Sequence, residues 1–260
     1  MKRTWVKVTI GVVLVGMLIL IALGAVLVPI LLQVPYSQGE RLEIRSDVVG
    51  IDTGGSYAWI VRTPTGAALV DTGMDPEASA LKAELANMGL TADDVHTVLL
   101  THGHYDHSGG ASQFPRATVV HGPGEGPLLR GEAVKLGWMA GLFSSIRGAV
   151  TLPSEVVEAA DGQILDVDGI TFQVISTPGH TMGSASYLGG GVLFSGDTLV
   201  SHGTTVKMLP GAFTSDAALL KRSVHRLSPL DAEWMADGHG GKTPDAAAAI
   251  DLFLQAQPKP

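Results

Sequence analysis

Between Thr101 and Gly110 the chain reads THGHYDHSGG. His102, His104, Asp106 and His107 put three imidazoles and a carboxylate within six residues. These are the nitrogen and oxygen donors of catalytic zinc and related divalent ions. A lone histidine at a strand end is ordinarily a surface or hydrogen-bonded residue. Four donors in one short stretch, backed by glycines, point to metal instead. A catalytic ion takes three protein ligands and keeps a position open for water, so four donors exceed the needs of one ion. Extended backbone projects His102 and His104 to the same side. The turn signal Ser108-Gly109-Gly110 lets Asp106 and His107 face a second position. Further ligands must then come from later strand ends.

Three later residues meet that requirement. His180 lies in Thr177-Pro178-Gly179-His180, Asp197 follows Gly196, and His239 lies in Asp237-Gly238-His239-Gly240-Gly241. Each follows an apolar run and sits beside glycine or in a tight turn. Seven residues now fit two metal positions. His102, His104 and His180 make one, Asp106, His107 and His239 make the other, and the two oxygens of Asp197 bridge them. Two metals about 3.5–4 Å apart can share a hydroxide, lower its pKa and polarise a substrate oxygen. No protein nucleophile is then needed, which suits a chain without cysteine. The lack of cysteine also excludes disulfides and thiolate ligands. Asp71 ends a predicted strand and reads equally as a turn former or as a partner that orients a metal-bound histidine. His96 and His225 read as structural or exposed. His121, His202 and Lys207 follow strands near the site and are candidates for touching substrate.

The elements that must position these groups are legible from periodicity. Strands are expected at Leu42–Val49, Tyr57–Thr63, Ala67–Asp71, His96–Leu100 and Ala117–His121. They resume at Gln163–Val167, Ile170–Ser176, Ala185–Leu188, Val192–Ser195 and Glu233–Ala236. Asp75-Pro76 opens a helix that carries Leu81, Leu85 and Met88 and stops at Gly89. A second helix is expected over about Ser215–Leu227, and a last one capped by Thr243-Pro244. Gly122–Pro153 interrupts the rhythm, with a helix over Glu132–Ile146 bearing Leu136, Trp138, Met139, Leu142 and Phe143. That segment either packs as ordinary core or forms a pocket wall or lid after a site-bearing strand. Strands, helix and strands followed by strands, helix, strand and helix suggest two similar halves, each placing ligands at strand ends.

Of the 260 residues, 45% are hydrophobic, and much of that excess is at the start. Val8–Gly39 carries no charged residue, and Thr9–Leu32 is almost entirely apolar. A membrane-crossing helix needs about 20 such residues. A cleaved signal peptide has a shorter apolar core and a polar chain after its cleavage site, so an uncleaved anchor over residues 1–35 is expected. Lys2, Arg3 and Lys7 keep its start in the cytoplasm and place residues 36–260 outside. Tyr36–Gly39 reads as a short linker. Beyond those three basic residues, 14 Lys and Arg face 25 Asp and Glu, a net of −11. Surfaces that track phosphate backbones are basic, so nucleic acid is not an expected partner and a small-molecule substrate is.

The motifs VDTG at 70–73, THGHYDH at 101–107, TPGHT at 177–181, LFSGD at 193–197 and DGHGG at 237–241 resemble, in their order, those of the metallo-β-lactamase superfamily of hydrolases. The resemblance covers roughly residues 40–255. It implies an α/β (α+β) fold, the four-layer αβ/βα sandwich, here preceded by one transmembrane helix. It implies a dinuclear site at one edge between the sheets, whose bridging hydroxide attacks a carbonyl or phosphoryl centre. The position of Asp106 is then also catalytic, helping to handle the proton. TPGHTMGSASYL followed by LFSGDTL is similar to glyoxalase II and related thioesterases. A bridging aspartate also fits lactonases and phosphodiesterases, and zinc β-lactamases usually lack one. Little chain follows His239, so the helical substrate domain of glyoxalase II is not expected. The expected activity is hydrolysis of an ester, thioester or lactone. Two divalent ions are expected, zinc by default, with iron or manganese also accepted by histidine and carboxylate. The alternative is a mononuclear iron redox enzyme of this fold resembling persulfide dioxygenases, or β-lactamase or phosphodiesterase activity.

Overall fold

The computed structural model describes residues 2–34, 39–147 and 149–257. The chain divides into two compact units, Met1–Val34 and Pro35–Pro260. The first is one helix, α1 (Lys2–Leu31), with Pro29 near its end. Side chains from Val15 onward are described, except Leu18, and many of them are exposed and apolar, Ile19, Leu20 and Ile21 among them. Among the described residues no helix is long and apolar enough to cross a membrane. The side chains of residues 2–14, and residues 36–38 of the expected linker, lie outside what is described. The expected anchor therefore rests on the sequence.

The second unit begins with strands β1 (Leu42–Arg45), β2 (Val48–Asp52), β3 (Tyr57–Arg62) and β4 (Ala67–Val70), then helix α2 (Ser79–Asn87) and β5 (Val95–Leu100). A single helical turn, α3 (Tyr105–Ser108), precedes β6 (Thr118–His121). Helices α4 (Gly126–Leu129) and α5 (Trp138–Arg147) lead to β7 (Val156–Glu158). Then come β8 (Ile164–Val167), β9 (Ile170–Ser176), β10 (Ala185–Gly189) and β11 (Val192–Gly196). The hairpin β12 (Val200–His202) and β13 (Thr205–Lys207), helix α6 (Ala217–Leu227), β14 (Trp234–Asp237), β15 (Lys242–Pro244) and α7 (Ala246–Ala256) complete the unit. One sheet runs β1-β2-β3-β4-β5-β6-β7 and the other β15-β14-β11-β10-β9-β8.

Alternation along the strands divides the core into three layers. In β3, Tyr57, Trp59 and Val61 face a core between the sheets, while Ala58 and Ile60 face Leu81 and Leu85 of α2. In β11, Val192 and Phe194 face the same inter-sheet core, and Leu193 faces Val224 of α6 and Ile250 of α7. Successive strand side chains point to opposite faces, so both faces of each sheet are covered. The expected helix–sheet–sheet–helix order is present. Trp59 and Phe194 meet edge-on with ring centroids 6.4 Å apart. Each fully buried Phe or Leu side chain contributes roughly 1.5–3 kcal/mol relative to exposure.

Strand direction creates the site's edge. β4 pairs parallel with β5, and β5 with β6. β11 pairs parallel with β14, and β9 runs with β11 because both are antiparallel to β10. The ends of β5, β9, β11 and β14 thus deliver the candidate donors. Cross-links hold that edge: Ala185 N donates to Thr101 O at 2.8 Å and Tyr57 N to Gly238 O at 2.7 Å.

Several expected boundaries move. The predicted strand Leu42–Val49 is a bent hairpin, β1 and β2, turning at Ser46-Asp47. Asp75 does not open α2 directly. Its carboxylate accepts from Glu77 N and Ser79 N, and the helix starts only at Ser79 after Ala78 in the left-handed region. Glu132–Leu136 is not helical; α5 begins at Trp138. Thr243-Pro244 does not cap the last helix but ends β15, and Asp245 precedes α7 with φ 51°. Proline's fixed φ suits an edge strand as well as a first helical turn, so that signal is ambiguous.

Candidate metal centre

The β5 strand ends at Leu100, and Thr101 is fastened at once. Its amide donates to Asp71 Oδ1 at 2.8 Å and its hydroxyl to Asp71 Oδ2 at 2.7 Å. His102–His104 continues extended, and α3 then rotates Asp106 and His107 to another position. That turn is held from outside: Thr72 N donates to His107 O and Ser56 Oγ to Asp106 O. From the second sheet come His180 after β9, Asp197 after β11 and His239 after β14. Gly238 has a steric reason to be glycine, because a Cβ there would meet Asp197 Oδ1 at 2.5 Å and collide with the His107 ring.

The seven expected donors converge. His104 Nδ1 lies 3.0 Å from both His102 Nε2 and His180 Nε2. Two ligands on a tetrahedral ion at 2.0–2.1 Å are about 3.3–3.4 Å apart, so the spacing suits one small cation. A single proton cannot satisfy three converging lone pairs. Asp106 Oδ2 lies 3.7 Å from His107 Nε2 and 3.6 Å from His239 Nε2. Asp197 reaches both groups: its Oδ2 is 3.3 Å from His180 Nε2 and 3.1 Å from His239 Nε2, and its Oδ1 is 3.4 Å from His107 Nε2.

Neighbouring groups set the tautomers. Thr101 Oγ1 gives its proton to Asp71, so at 3.1 Å from His102 Nδ1 it accepts from that ring. His107 Nδ1 donates to Asp71 Oδ2 at 2.8 Å and His239 Nδ1 to the Gly55 carbonyl at 2.9 Å. In each case the Nε2 lone pair is left for the centre, the usual way an outer partner orients a metal-binding imidazole. Asp71 is therefore an orienting partner as well as a strand-end residue. His107 Nε2 and Asp197 Oδ1 are buried with no hydrogen-bond partner among the described residues. An unsatisfied buried polar atom costs roughly 1–3 kcal/mol, a cost that a cation between them would remove. The donor set thus fits divalent metal on the geometry itself.

The electrostatics differ across the cluster. Burial holds His102 well below the ordinary histidine range and His180 down at about 3. Burial also acts to depress His107 and His239, but the carboxylates of Asp197 and Asp106 outweigh it. His107 ends well above its ordinary value and His239 at about 9. Burial alone would raise Asp197, yet the surrounding imidazoles, led by His239 and His107, pull it well below the carboxylate range. Asp106 keeps a third of its side chain exposed, whereas His102, His107 and His180 are buried.

The other expected histidines stay apart from every donor group among the described residues. His96 pairs with Asp168 at 2.7 Å. His225 is exposed in the last turn of α6. His121 is buried and donates to the Gly122 carbonyl at 2.8 Å. His202 is exposed on β12, and Lys207 is half-buried on β13. Two residues given no individual role by the sequence reading are prominent. Asp237 is buried and accepts from the amides of Ser201, His239, Gly240 and Gly241, which shapes the His239 loop. Glu125 is buried beneath the His102–His104 and His180 loops, and burial pushes its carboxyl up to about 7 against three hydrogen-bond donors. A glutamate in a Gly-Pro-Gly-Glu-Gly loop looks solvent-facing; its one sequence signal is its place just after a site-edge strand.

Two face-to-face sheets with outer helices, and seven imidazoles and carboxylates at one edge, define the class: an αβ/βα sandwich with a metal-binding edge. The family described as "Metallo-beta-lactamase superfamily" matches residues 51–239. The chain belongs to the metallo-β-lactamase superfamily. It is 31% identical over 153 residues to a hydroxyacylglutathione hydrolase of Photobacterium profundum, covering 57% of this chain and 48% of that protein. It is 31% identical over 179 residues to one from Aeromonas hydrophila subsp. hydrophila, covering 67% and 57%. The chain spans about half the length of these curated relatives. Among solved structures, a metallo-beta-lactamase family protein from Thermus thermophilus superposes with TM-score 0.61 at 26% identity, over 77% of this chain and 73% of that one. Metallo-beta-lactamase SMB-1 superposes with TM-score 0.65 at 22% identity, over 86% and 95%, a likeness of fold.

Proposed function

We propose that the protein is a dinuclear hydrolase acting on an ester, thioester or lactone carbonyl, with an acyl thioester favoured by the relatives named hydroxyacylglutathione hydrolase. The observation that carries this reading is the bridging position of Asp197, within 3.4 Å of imidazoles from both donor groups. His102, His104 and His180 hold one ion, Asp106, His107 and His239 the other, and zinc is the expected metal. Bound ions of this kind supply Lewis acidity and an activated water at neutral pH. Asp106 is the one carboxylate of the set with solvent access, and it accepts and passes on a proton at its free oxygen. The buried imidazoles exclude bulk water from the rest of the centre.

The exposed apolar residues of α5 favour an apolar acyl group. Trp138, Leu142, Phe143 and Ile146 of α5 are exposed. The chain leading into α5 is tied to the centre through Ser215, whose hydroxyl lies 2.9 Å from Lys135 O and 2.8 Å from His180 O. Residues 1–35 form the anchor in this reading and residues 36–260 the catalytic domain outside the membrane; Lys2, Arg3 and Lys7 before the apolar run support it.

The test uses the full chain. It is isolated from washed membranes in detergent, its metal is counted by mass spectrometry, and it is offered ester, thioester, lactone, β-lactam and phosphodiester substrates. Two divalent ions per chain and carbonyl hydrolysis are expected. A single iron with oxygen uptake and no hydrolysis would overturn the reading in favour of redox chemistry. Recovery in the soluble fraction would remove the anchor and leave the enzyme assignment standing.

A further inference from the structure

The first donor group draws on two sheets. His102 and His104 follow β5, and His180 follows β9. Nothing covalent joins these loops locally, and one N–H on His104 Nδ1 can bond only one of the two lone pairs facing it, on His102 or on His180. One side chain does bind both loops. Glu125 Oε1 accepts from Gly103 N at 2.5 Å, on the residue between His102 and His104. Glu125 Oε2 accepts from Thr181 Oγ1 at 2.9 Å and Gly183 N at 3.1 Å, on the residues just after His180. Each oxygen thus holds one loop.

Glu125 occupies the N-cap position of α4, yet its side chain makes no capping bond. The carboxylate is turned away from the helix it precedes and toward the metal-site loops. The fit is close. A Cβ on Gly183 would lie 2.6 Å from both Glu125 Cα and Oε2, and one on Gly103 would lie 3.2 Å from Oε1. Both loops therefore approach the carboxylate with glycine backbone. Burying a carboxylate costs several kcal/mol unless good donors surround it, so a residue placed here only to fill space would be apolar.

We propose that Glu125 is a positioning residue for the metal centre: its carboxylate clamps the His102–His104 loop to the His180 loop and so sets the spacing of the three imidazoles before any ion arrives. The proposal rests on the metal-site reading above. It predicts that loss of the clamp weakens ion capture without removing a ligand. Replacing Glu125 by Gln leaves one acceptor oxygen and turns an NH₂ group toward the donors of the other loop.

The full chain and its Glu125→Gln and Thr181→Val variants are stripped of metal and titrated with Zn²⁺ against a competing chelator. Circular dichroism and thermal midpoints are recorded on the metal-free forms, and absorption spectra on Co²⁺-loaded ones. Glu125→Gln should bind the Zn²⁺ held by His102, His104 and His180 about 10–100-fold more weakly, the scale of losing an outer-shell partner, with an altered Co²⁺ spectrum. Thr181→Val, which removes the hydroxyl's bonds to Glu125 Oε2 and Ser184 Oγ and keeps both backbone donors to the carboxylate, should lose about fivefold. Affinities within twofold of the parent, with unchanged Co²⁺ spectra, would overturn the clamp even if the thermal midpoints fell. Should Glu125→Gln fail to fold, the Thr181→Val affinity and spectrum decide. A parent chain that captures no metal would sink the metal-site reading itself, a result distinct from equal affinities in parent and variants.

Discussion

The two donor groups are built from similar residues and solve opposite electrostatic problems. In the group of His102, His104 and His180, burial dominates and keeps the imidazoles neutral. In the group of Asp106, His107 and His239, the carboxylates dominate and keep protons on the imidazoles of the metal-free protein. The first is a set of lone pairs waiting for a cation. The second already holds positive charge and must release it. Ligand type alone does not describe a metal site; the charge held before the metal arrives differs within a few ångströms.

The sharpest way to break this contrast is at the residue shared by both groups. Asp197→Ala should lower turnover by at least about 10²–10³-fold, the scale of removing a charge-stabilising group from a catalytic centre. Metal counts should fall at the same time. Near-parental turnover with both ions retained would show that the two groups work without their bridge.

Proton release is the next test. His239 stands at about 9 in the metal-free state, above its ordinary value, so at pH 7 it carries a proton that the ion must displace. His107 is held protonated as well, so apparent affinity at that position should fall about tenfold per pH unit for each of the two protons displaced, about a hundredfold per unit below 9. His180, at about 3, is already neutral at pH 7 and at pH 5, so it adds no such slope. A pH-stat at about pH 6, below the range where bound water ionises, should therefore record more protons released with the ion of the His107 and His239 group than with the other. Equal release for both would erase the distinction.

A smaller effect should separate the groups by their supports. Asp71→Asn weakens the bond that orients His107 directly, reaches His102 only indirectly through Thr101, and makes no contact with His180. It should weaken the ion held by His107 about 10–100-fold, with a smaller loss at the other ion, whose His102 feels the change only through Thr101. Chelator titration of each ion in turn would measure this, and equal losses at both positions would count against separate supports.

Local chemistry made much of this legible. Donor residues at apolar run ends, glycines behind them and no cysteine were enough to gather His102, His104, Asp106, His107, His180, Asp197 and His239 into one cluster. The near-continuous apolar runs of β3 and β11 suit strands buried on both faces. Boundaries were less legible where one residue serves two conformations. Pro244 suits an edge strand and a helix start alike, and Asp75 accepts from a turn and from the start of α2.

What the sequence determined by itself was the kind of chemistry and the order of the elements, because ligand type, strand period and turn residues act over a few neighbouring positions. Only the tertiary structure decided the supports. Asp71 meets His107 across 36 residues of chain, His239 meets Gly55 across 184, and Glu125 meets Gly183 across 58. Such partners are set by how two sheets dock, and the energy that rewards them, hydrogen bonds to buried charge, exists only once water has been excluded. A surface-like glutamate between glycines becomes a buried clamp for that reason.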